Sequence, residues 1–399
     1  MAIWRKIIEP HAFIITVLTI LFIWIFQFFF FSRHFLDPFN NGLRDYEITD
    51  IVYSRFRNAQ SVQPVTDIVL INTGLPDRET LAGLLDRISR LEPRVVGLDI
   101  ELNGLGDPGT DSLLKESIDK IPHVVLASRL ISYDSRSDLF DPPAYCDPYF
   151  SKGKKIAYTN FVSEDTSIIR LFSPWEMTMQ GPVNAFSVEM VNHFAPEKTK
   201  KLFERRNAVE RIWYTGNQQQ FIKIEGNALL DDVSFQRFLE QGVLKGKMVM
   251  VGYIGNHQPG EPELDRFFTP LNPRSTGKCY PDMYGMEIHA NIATMILREQ
   301  YITQLAKWFE EFLGWLFCYL NVLLFHWIYI RVRSTFHGIT RLIQLFELAL
   351  VFFLIALFFY YFRIQFNLTH GILAMVLSYD FVMIYESLIK EKIKILQKI

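Results

Sequence analysis

The sequence predicts an α/β protein: an extracytoplasmic, largely parallel sheet flanked by helices, plus four transmembrane helices, one N-terminal and three C-terminal. Three observations lead there. The apolar residues are concentrated in one run near the N-terminus and three near the C-terminus. The stretch between them alternates short β-branched runs with helical periodicities. The basic residues that border the apolar runs gather on one side of the arrangement.

The averages conceal this division. The 399 residues are 49% hydrophobic and include 35 Phe, yet the mean hydropathy is only +0.11. Such apolar content excludes a disordered chain. A formal net charge of -2 argues against a broad basic face for nucleic acid. The 41 Lys and Arg and 43 Asp and Glu exclude a pure membrane bundle.

Residues 1–12, with Arg5 and Lys6, form the N-terminal segment. Residues 13–31 contain only Thr16, Thr19 and Gln27 as polar side chains. As a helix they are about long enough to cross a bilayer core of roughly 30 Å. The run ends in Phe31-Ser32-Arg33 with no small-x-small site, so it reads as an uncleaved anchor. Residues 32–307 form a domain large enough to bury its own core. The C-terminal spans are residues 308–330, 342–362 and 368–388. The connection 331–341 holds Arg331, Arg333 and Arg341 and no acid, and the tail 389–399 holds Lys390, Lys392, Lys394 and Lys398 against Glu391. The remaining connection has only Arg363. The positive-inside rule then puts both termini in the cytoplasm and the central domain outside.

Within that domain, residues 67–73 read as a buried strand. Residues 77–91 read as a helix begun by Asp77 and Thr80, with Leu81, Leu84, Leu85, Ile88 and Leu91 on one face and Pro93 as its stop. A second strand covers 94–102. A helix over 110–121 is capped by Thr110 or Asp111 and turns Leu113, Leu114, Ile118 and Ile121 inward. A third strand covers 123–130. Strand–helix–strand units at this spacing argue for parallel crossovers. Residues 134–150 are rich in Asp, Pro and Ser and read as a loop. Then come a strand at 154–162, a helix at 182–194, short strands at 212–214 and 221–224 around a turn at 216–220, and a helix at 233–241. An apolar strand follows at 247–253, an irregular stretch at 261–281, and a helix at 285–299 that leads toward the membrane. The basic residues Lys198, Lys200, Lys201, Arg205 and Arg206 are interleaved with Glu197 and Glu204, the pattern of a solvated helix face. Cys146 and Cys279 both fall in the exported domain; a disulfide between them suits an oxidising compartment, but so wide a separation does not establish it.

The order of several blocks resembles the second type of CHASE domain, an extracytoplasmic sensor module of bacterial signalling receptors. The blocks are 68–102, with Val95-Val96-Gly97-Leu98-Asp99-Ile100; Thr159-Asn160-Phe161 with Arg170; Gly246-Lys247-Met248-Val249-Met250-Val251-Gly252; Asp265-Arg266-Phe267-Phe268-Thr269-Pro270-Leu271; and Tyr284-Gly285-Met286-Glu287-Ile288-His289-Ala290-Asn291. The one-plus-three helix layout matches as well. Where the family often has paired aspartates after the first strand, this chain has Asn72-Thr73-Gly74. Such receptors usually continue into a kinase, cyclase or phosphodiesterase domain, whereas only residues 389–399 follow the last helix here. The resemblance therefore implies a sensor in the bacterial cytoplasmic membrane that lacks its own output domain and relays to a separate protein. It supplies no known ligand.

Ligands of open α/β sheets bind outside the carboxyl ends of the strands. That criterion selects Asn72, Asp99 and Glu101, and the later family blocks add Asp265 and His289. Together they suit a cation or a polar ligand; equally, Asp99 can bind loop amides and His289 can pack within the protein. No metal is assigned, and no cofactor is expected. Gly104-Leu105-Gly106-Asp107-Pro108-Gly109 is a literal GxGxxG, but Asp107 would repel a phosphate and Pro108 lacks the amide proton, so it reads as a plain loop. In the membrane segments His326, Glu347 and Asp380 lie at similar depth, which suggests either an inter-helix polar cluster or separate snorkelling contacts. The expected partners are the lipid bilayer, an unidentified extracytoplasmic ligand and a protein that provides output; nucleic acid is not expected, and self-association is left open. The alternatives are a structural subunit of an envelope complex, or a hydrolase using Asp99 and Glu101, for which no nucleophile motif speaks.

Overall fold

The computed structural model describes residues 9–30, 47–53, 64–161, 168–216, 218–255, 264–272, 280–331, 336–366 and 368–390. The chain divides into two compact units: Asp50–Ile302, and Met1–Thr49 together with Thr303–Ile399.

The first unit is built on strands β1 (Val65–Asn72), β2 (Val95–Asp99), β3 (Val124–Ser128), β4 (Lys155–Tyr158), β5 (Phe221–Glu225) and β6 (Met248–Gly252). They form one sheet in the order β5-β1-β6-β2-β3-β4, parallel throughout. The late strand β6 sits between β1 and β2, so the first two strands are not neighbours. β2, β3 and β6 are almost wholly buried, which is why they read as unbroken apolar runs rather than as alternating ones.

The N-terminal helix of the protein is α1 (Pro10–Phe30); one face of the sheet carries α2 (Arg78–Arg90) and α3 (Pro108–Asp119). Leu81, Leu84, Leu85 and Ile88 of α2 and Leu114 and Ile118 of α3 pack there with Val69, Ile71, Val96, Leu98, Val249 and Val251. Each such side chain stabilises the fold by about 1.5–3 kcal/mol when fully buried. The other face is covered by α4 (Phe186–Phe194) and, farther along the chain, by the helix Gly285–Leu297. Gly97 of β2 lets α4 approach: a Cβ there would lie 2.5 Å from Phe186 Cζ and 2.6 Å from Met190 Sδ. Between them in sequence are α5 (Pro196–Glu204) and α6 (Asp232–Gln241); the helix Gly285–Leu297 is α7.

Asp77 caps α2, its side chain accepting from Thr80 N at 2.8 Å. The start of α3 differs from expectation. Its cap is Asp107, not Thr110 or Asp111; Asp107 Oδ2 accepts from Thr110 N at 2.9 Å, and Pro108 fills the first turn, where no amide proton is needed. Leu113 consequently faces outward and is 45% exposed. The amide that a phosphate would have used at this GxGxxG loop is occupied by Asp107. Asp111 is instead buried, paired with Arg78 and accepting from Gly106 N at 2.6 Å.

Other boundaries also moved. Residues 134–150 are not simply a loop: Tyr133–Asp134 and Leu139–Phe140 join Trp175–Thr178 and Gly181–Asn184 in a small four-stranded sheet. The expected helix over 182–194 therefore begins only at Phe186. No strand forms at 212–214; Glu210–Arg211 pairs with Leu171–Phe172 instead. On α5, Lys198 and Lys201 pair with Glu299, and Arg205, just after it, pairs with Glu210. Cys146 carries a free thiol, and Cys279 lies outside the described residues.

The second unit contains α1, α8 (Lys307–Arg331), α9 (Phe336–Phe362) and α10 (Thr369–Ile384), the last continued by a π-helical turn, Tyr385–Ile389. Three stretches are long and apolar enough to cross a membrane: Lys307–Arg331, Gly338–Phe362 and Thr369–Ile389. By the same measure α1 contributes a shorter apolar stretch, Pro10–Phe26. Ala12, Ile15 and Ile23 of α1 share a core with Cys318, Val322 and Phe325 of α8 and Ala374 and Val382 of α10. α8 and α10 cross at Gly314 and Gly371, where a Cβ on Gly371 would come within 2.9 Å of Gly314 Cα. α9 begins six positions earlier in number than the expected 342 and keeps Leu342, Leu345 and Phe346 exposed.

Candidate functional site

The carboxyl ends of β1, β6 and β2 lie in register, with Asn72 beside Gly252 and Gly252 beside Asp99. Asp99 is the last residue of β2, and Glu101 follows it. Arg129 follows β3, and its Nε lies 2.5 Å from Glu101 Oε1. Asp265 adopts a left-handed backbone (φ 55°), and its carbonyl accepts from Gly285 N at 3.1 Å, the first residue of α7.

These groups share one electrostatic environment. Burial pushes the Asp99 carboxyl up to about 7; the negative charge of Asp265 adds to this, Arg129 opposes it, and Glu101 contributes a further rise. Part of the Asp99 residue still has surface, but its carboxyl is enclosed. Burial likewise raises Asp265 to about 6, against the attraction of Arg129 and a hydrogen bond from the Gly285 amide. The two aspartates thus titrate as a pair close to neutral pH. Three carboxylates with one guanidinium can hold a cationic or hydrogen-bond-donating group and can exchange a proton. Among the described residues, no group of three or more His, Cys, Asp or Glu is arranged to hold a metal ion.

Asn72 and His289 stand apart from this group. The Asn72 amide donates to Glu225 Oε2 at 2.8 Å and to Gly255 O at 2.9 Å, and its oxygen accepts from Ile254 N at 2.9 Å. It is a clamp joining the ends of β1, β5 and β6. His289 is buried on α7 between Phe161 and Phe186, with Nδ1 3.0 Å from Ser187 Oγ. Burial lowers its pKa to about 3, so it is neutral at ordinary pH. Arg170 serves a structural ion pair, with Nη2 2.6 Å from Asp50 Oδ2 and both side chains buried. Arg129 is the member of the site that sequence reasoning missed. It satisfies the strand-end criterion that selected Asp99 and Glu101, since it follows β3 directly.

α7 supplies another buried carboxyl. Glu287 Oε2 accepts from Tyr284 N at 2.9 Å, reaching back to the N-cap of its own helix, while Oε1 finds no hydrogen-bonding partner among the described residues. Burial pushes this group up to about 7 against the Tyr284 hydrogen bond and the charges of Lys223 and Arg266.

In the helical unit, His326, Glu347 and Asp380 do not form one cluster. His326 Nε2 lies 2.8 Å from Glu386 Oε1, and Nδ1 lies 3.2 Å from Glu9 Oε1. Beside them His11 Nδ1 meets the Tyr385 hydroxyl at 2.6 Å, and Lys390 Nζ meets Glu386 at 2.7 Å. This polar hub ties α1, α8 and the π-helical turn together. Asp380 pairs separately with Arg341 at 2.9 Å. Glu347 faces Asn321. The hub partners Glu9 and Glu386 were not selected from sequence; Glu9 is the one acid among the residues before the first span, which was the available signal.

The model of the CHASE2 domain family matches residues 15–326, and the chain belongs to that family. Neither the curated proteins nor the solved structures contain a match to it.

Proposed function

We propose that this CHASE2-family chain is a four-span protein of the bacterial cytoplasmic membrane whose α/β unit lies outside the cytoplasm and binds a ligand. The reading is of a binding and relay module rather than an enzyme. Both termini are cytoplasmic in this arrangement, in keeping with the basic residues at 5–6, 331–341 and 390–398. The observation that carries the proposal is the extent of the family match, which runs from α1 through the α/β unit into α8.

The ligand site is the sheet edge formed by Asp99, Glu101, Arg129 and Asp265. A ligand that offers positive charge or hydrogen-bond donors complements it. Its binding alters the charge next to the first turn of α7, and residues 298–306 join α7 to α8 in the chain. The signal passes to a separate cytoplasmic protein. Affinity purification of the full chain from its native membrane tests this. Recovery of a kinase, cyclase or other signalling protein supports the reading. A fixed-stoichiometry envelope assembly, or recovery of the chain alone, counts against it.

A further inference from the structure

α9 stands off from α8, and the gap between them is a cavity of about 200 Å³. Phe317 and Leu324 of α8, Val351 of α9 and Met375 of α10 form its apolar walls. Leu320 and Leu350 stand at its rim and are 50% and 44% exposed, so the cleft opens sideways, toward what is lipid in a spanning bundle.

Two polar side chains also line it. Asn321 is only 4% exposed, and among the described residues neither atom of its amide has a hydrogen-bonding partner. Glu347 lies across the cleft within reach of the Asn321 amide, but no hydrogen bond of good geometry joins them, and Glu347 Oε2 is buried without a hydrogen-bonding partner among the described residues. A buried amide left in this state is destabilising, and an ionisable group inside a bilayer is retained where it has a task. The arrangement calls for a group that both accepts from and donates to the pair.

Depth and size narrow the class. At 1.5 Å per residue, Asn321 lies about 15 Å along α8 from Arg331, and Glu347 about 9 Å along α9 from Arg341. Both are inside a hydrocarbon core roughly 30 Å thick, below the level of the basic side chains that border it. An apolar cavity of about 150 Å³ holds benzene, so this one accommodates a substituted six-membered ring but not a helix. We propose that the cleft between α8 and α9 binds a lipid-soluble molecule whose ring-sized head carries hydrogen-bonding oxygens, as quinones and quinols do. Asn321 and Glu347 hold the oxygens, and the apolar walls enclose the ring. This site is independent of the sheet edge and would stand if no ligand bound there.

The test uses the full chain in phosphatidylcholine nanodiscs, titrated with a decyl-substituted benzoquinone and with its quinol. Isothermal titration calorimetry reports binding. Saturable binding is expected, weakened at least tenfold by Asn321→Leu. Leu350→Trp fills the mouth from the exposed rim, leaves the polar pair in place and abolishes saturation; its unfolding midpoint checks that the bundle is intact. Non-saturable partitioning in the unmodified protein overturns the proposal, and so does saturable binding unchanged by both variants. A stable dimer that Leu350→Trp dissociates overturns it too, since the cleft would then be a helix-docking surface.

Discussion

Replacing Asp99 by Asn isolates the electrostatics of the sheet edge. In the folded protein this carboxyl titrates at about 7, against 3.8 for an unhindered one, because burial and Asp265 disfavour its charge. The folded value lies above the unfolded value, so the native state binds the proton more tightly. The resulting destabilisation is absent below pH ~4, grows through the interval, and is complete above pH ~7. A tenfold change in acidity is worth about 1.4 kcal/mol, so the whole displacement corresponds to about 4 kcal/mol if fully expressed. Arg129 is 58% exposed and Asp99 itself retains some surface, so solvent screening reduces this to about 2 kcal/mol. Asn keeps the shape and removes the charge. Asp99→Asn should therefore raise the unfolding midpoint of the full chain in detergent at pH 8 by about 4–8 °C. At pH 5 the gain should be less than half as large. Thermal unfolding followed by near-ultraviolet circular dichroism at the two pH values measures both. Equal gains at pH 5 and pH 8, or a loss at pH 8, would refute the reasoning.

Three further outcomes are expected. Asp50→Ala leaves Arg170 buried without its carboxylate and should destabilise the α/β unit by about 3–5 kcal/mol, read from denaturant unfolding. Gly97→Ala drives a methyl group into Phe186 and Met190 of α4 and should cost about 1–3 kcal/mol in the same measurement. Ser137 lies on the exposed turn between Tyr133–Asp134 and Leu139–Phe140. In a background without native cysteines, Ser137→Cys should react with an impermeant maleimide in intact cells, and Lys398→Cys only after permeabilisation; the reverse pattern would invert the proposed topology.

The parts of this fold that can be read from the chain are those fixed by neighbours in sequence. Leu81, Leu84, Leu85 and Ile88 announce α2 because helical periodicity is local, and Asp77 caps it through a residue three positions on. Lateral order is different. Val95–Asp99 and Met248–Gly252 are both short apolar runs, and nothing in either says that the second inserts between the first and β1. Pro182, Val183 and Asn184 read as the start of a helix over 182–194; their pairing with Trp175–Thr178 decided otherwise. The same limit applies to the candidate site. Asp99 and Glu101 are identifiable from the end of β2 alone, whereas the role of Arg129 depends on β3 lying beside β2. His326 could be recognised as a buried ionisable group, but Glu9 and Glu386 reach it from opposite ends of the chain.

The burial of α7 bears on how the proposed sensor would act. Along this helix Asn291 donates to Gly216 O at 2.9 Å and accepts from Thr215 N at 2.8 Å, His289 meets Ser187, and Glu287 accepts from Tyr284 N. A helix held by so many buried polar contacts does not slide freely; its adjustable end is the first turn. There the Gly285 amide donates to the Asp265 carbonyl, the Asp265 carboxylate lies against Gly285, and a negative charge at a helix N-terminus is stabilising by about 0.3–1 kcal/mol. A cationic group drawn in by Asp99 and Glu101 competes for that same carboxylate, as does a proton. In the proposed function, ligand binding and the N-terminus of α7 therefore draw on one charge, so occupancy of the site changes the electrostatics of the helix whose chain continues into α8.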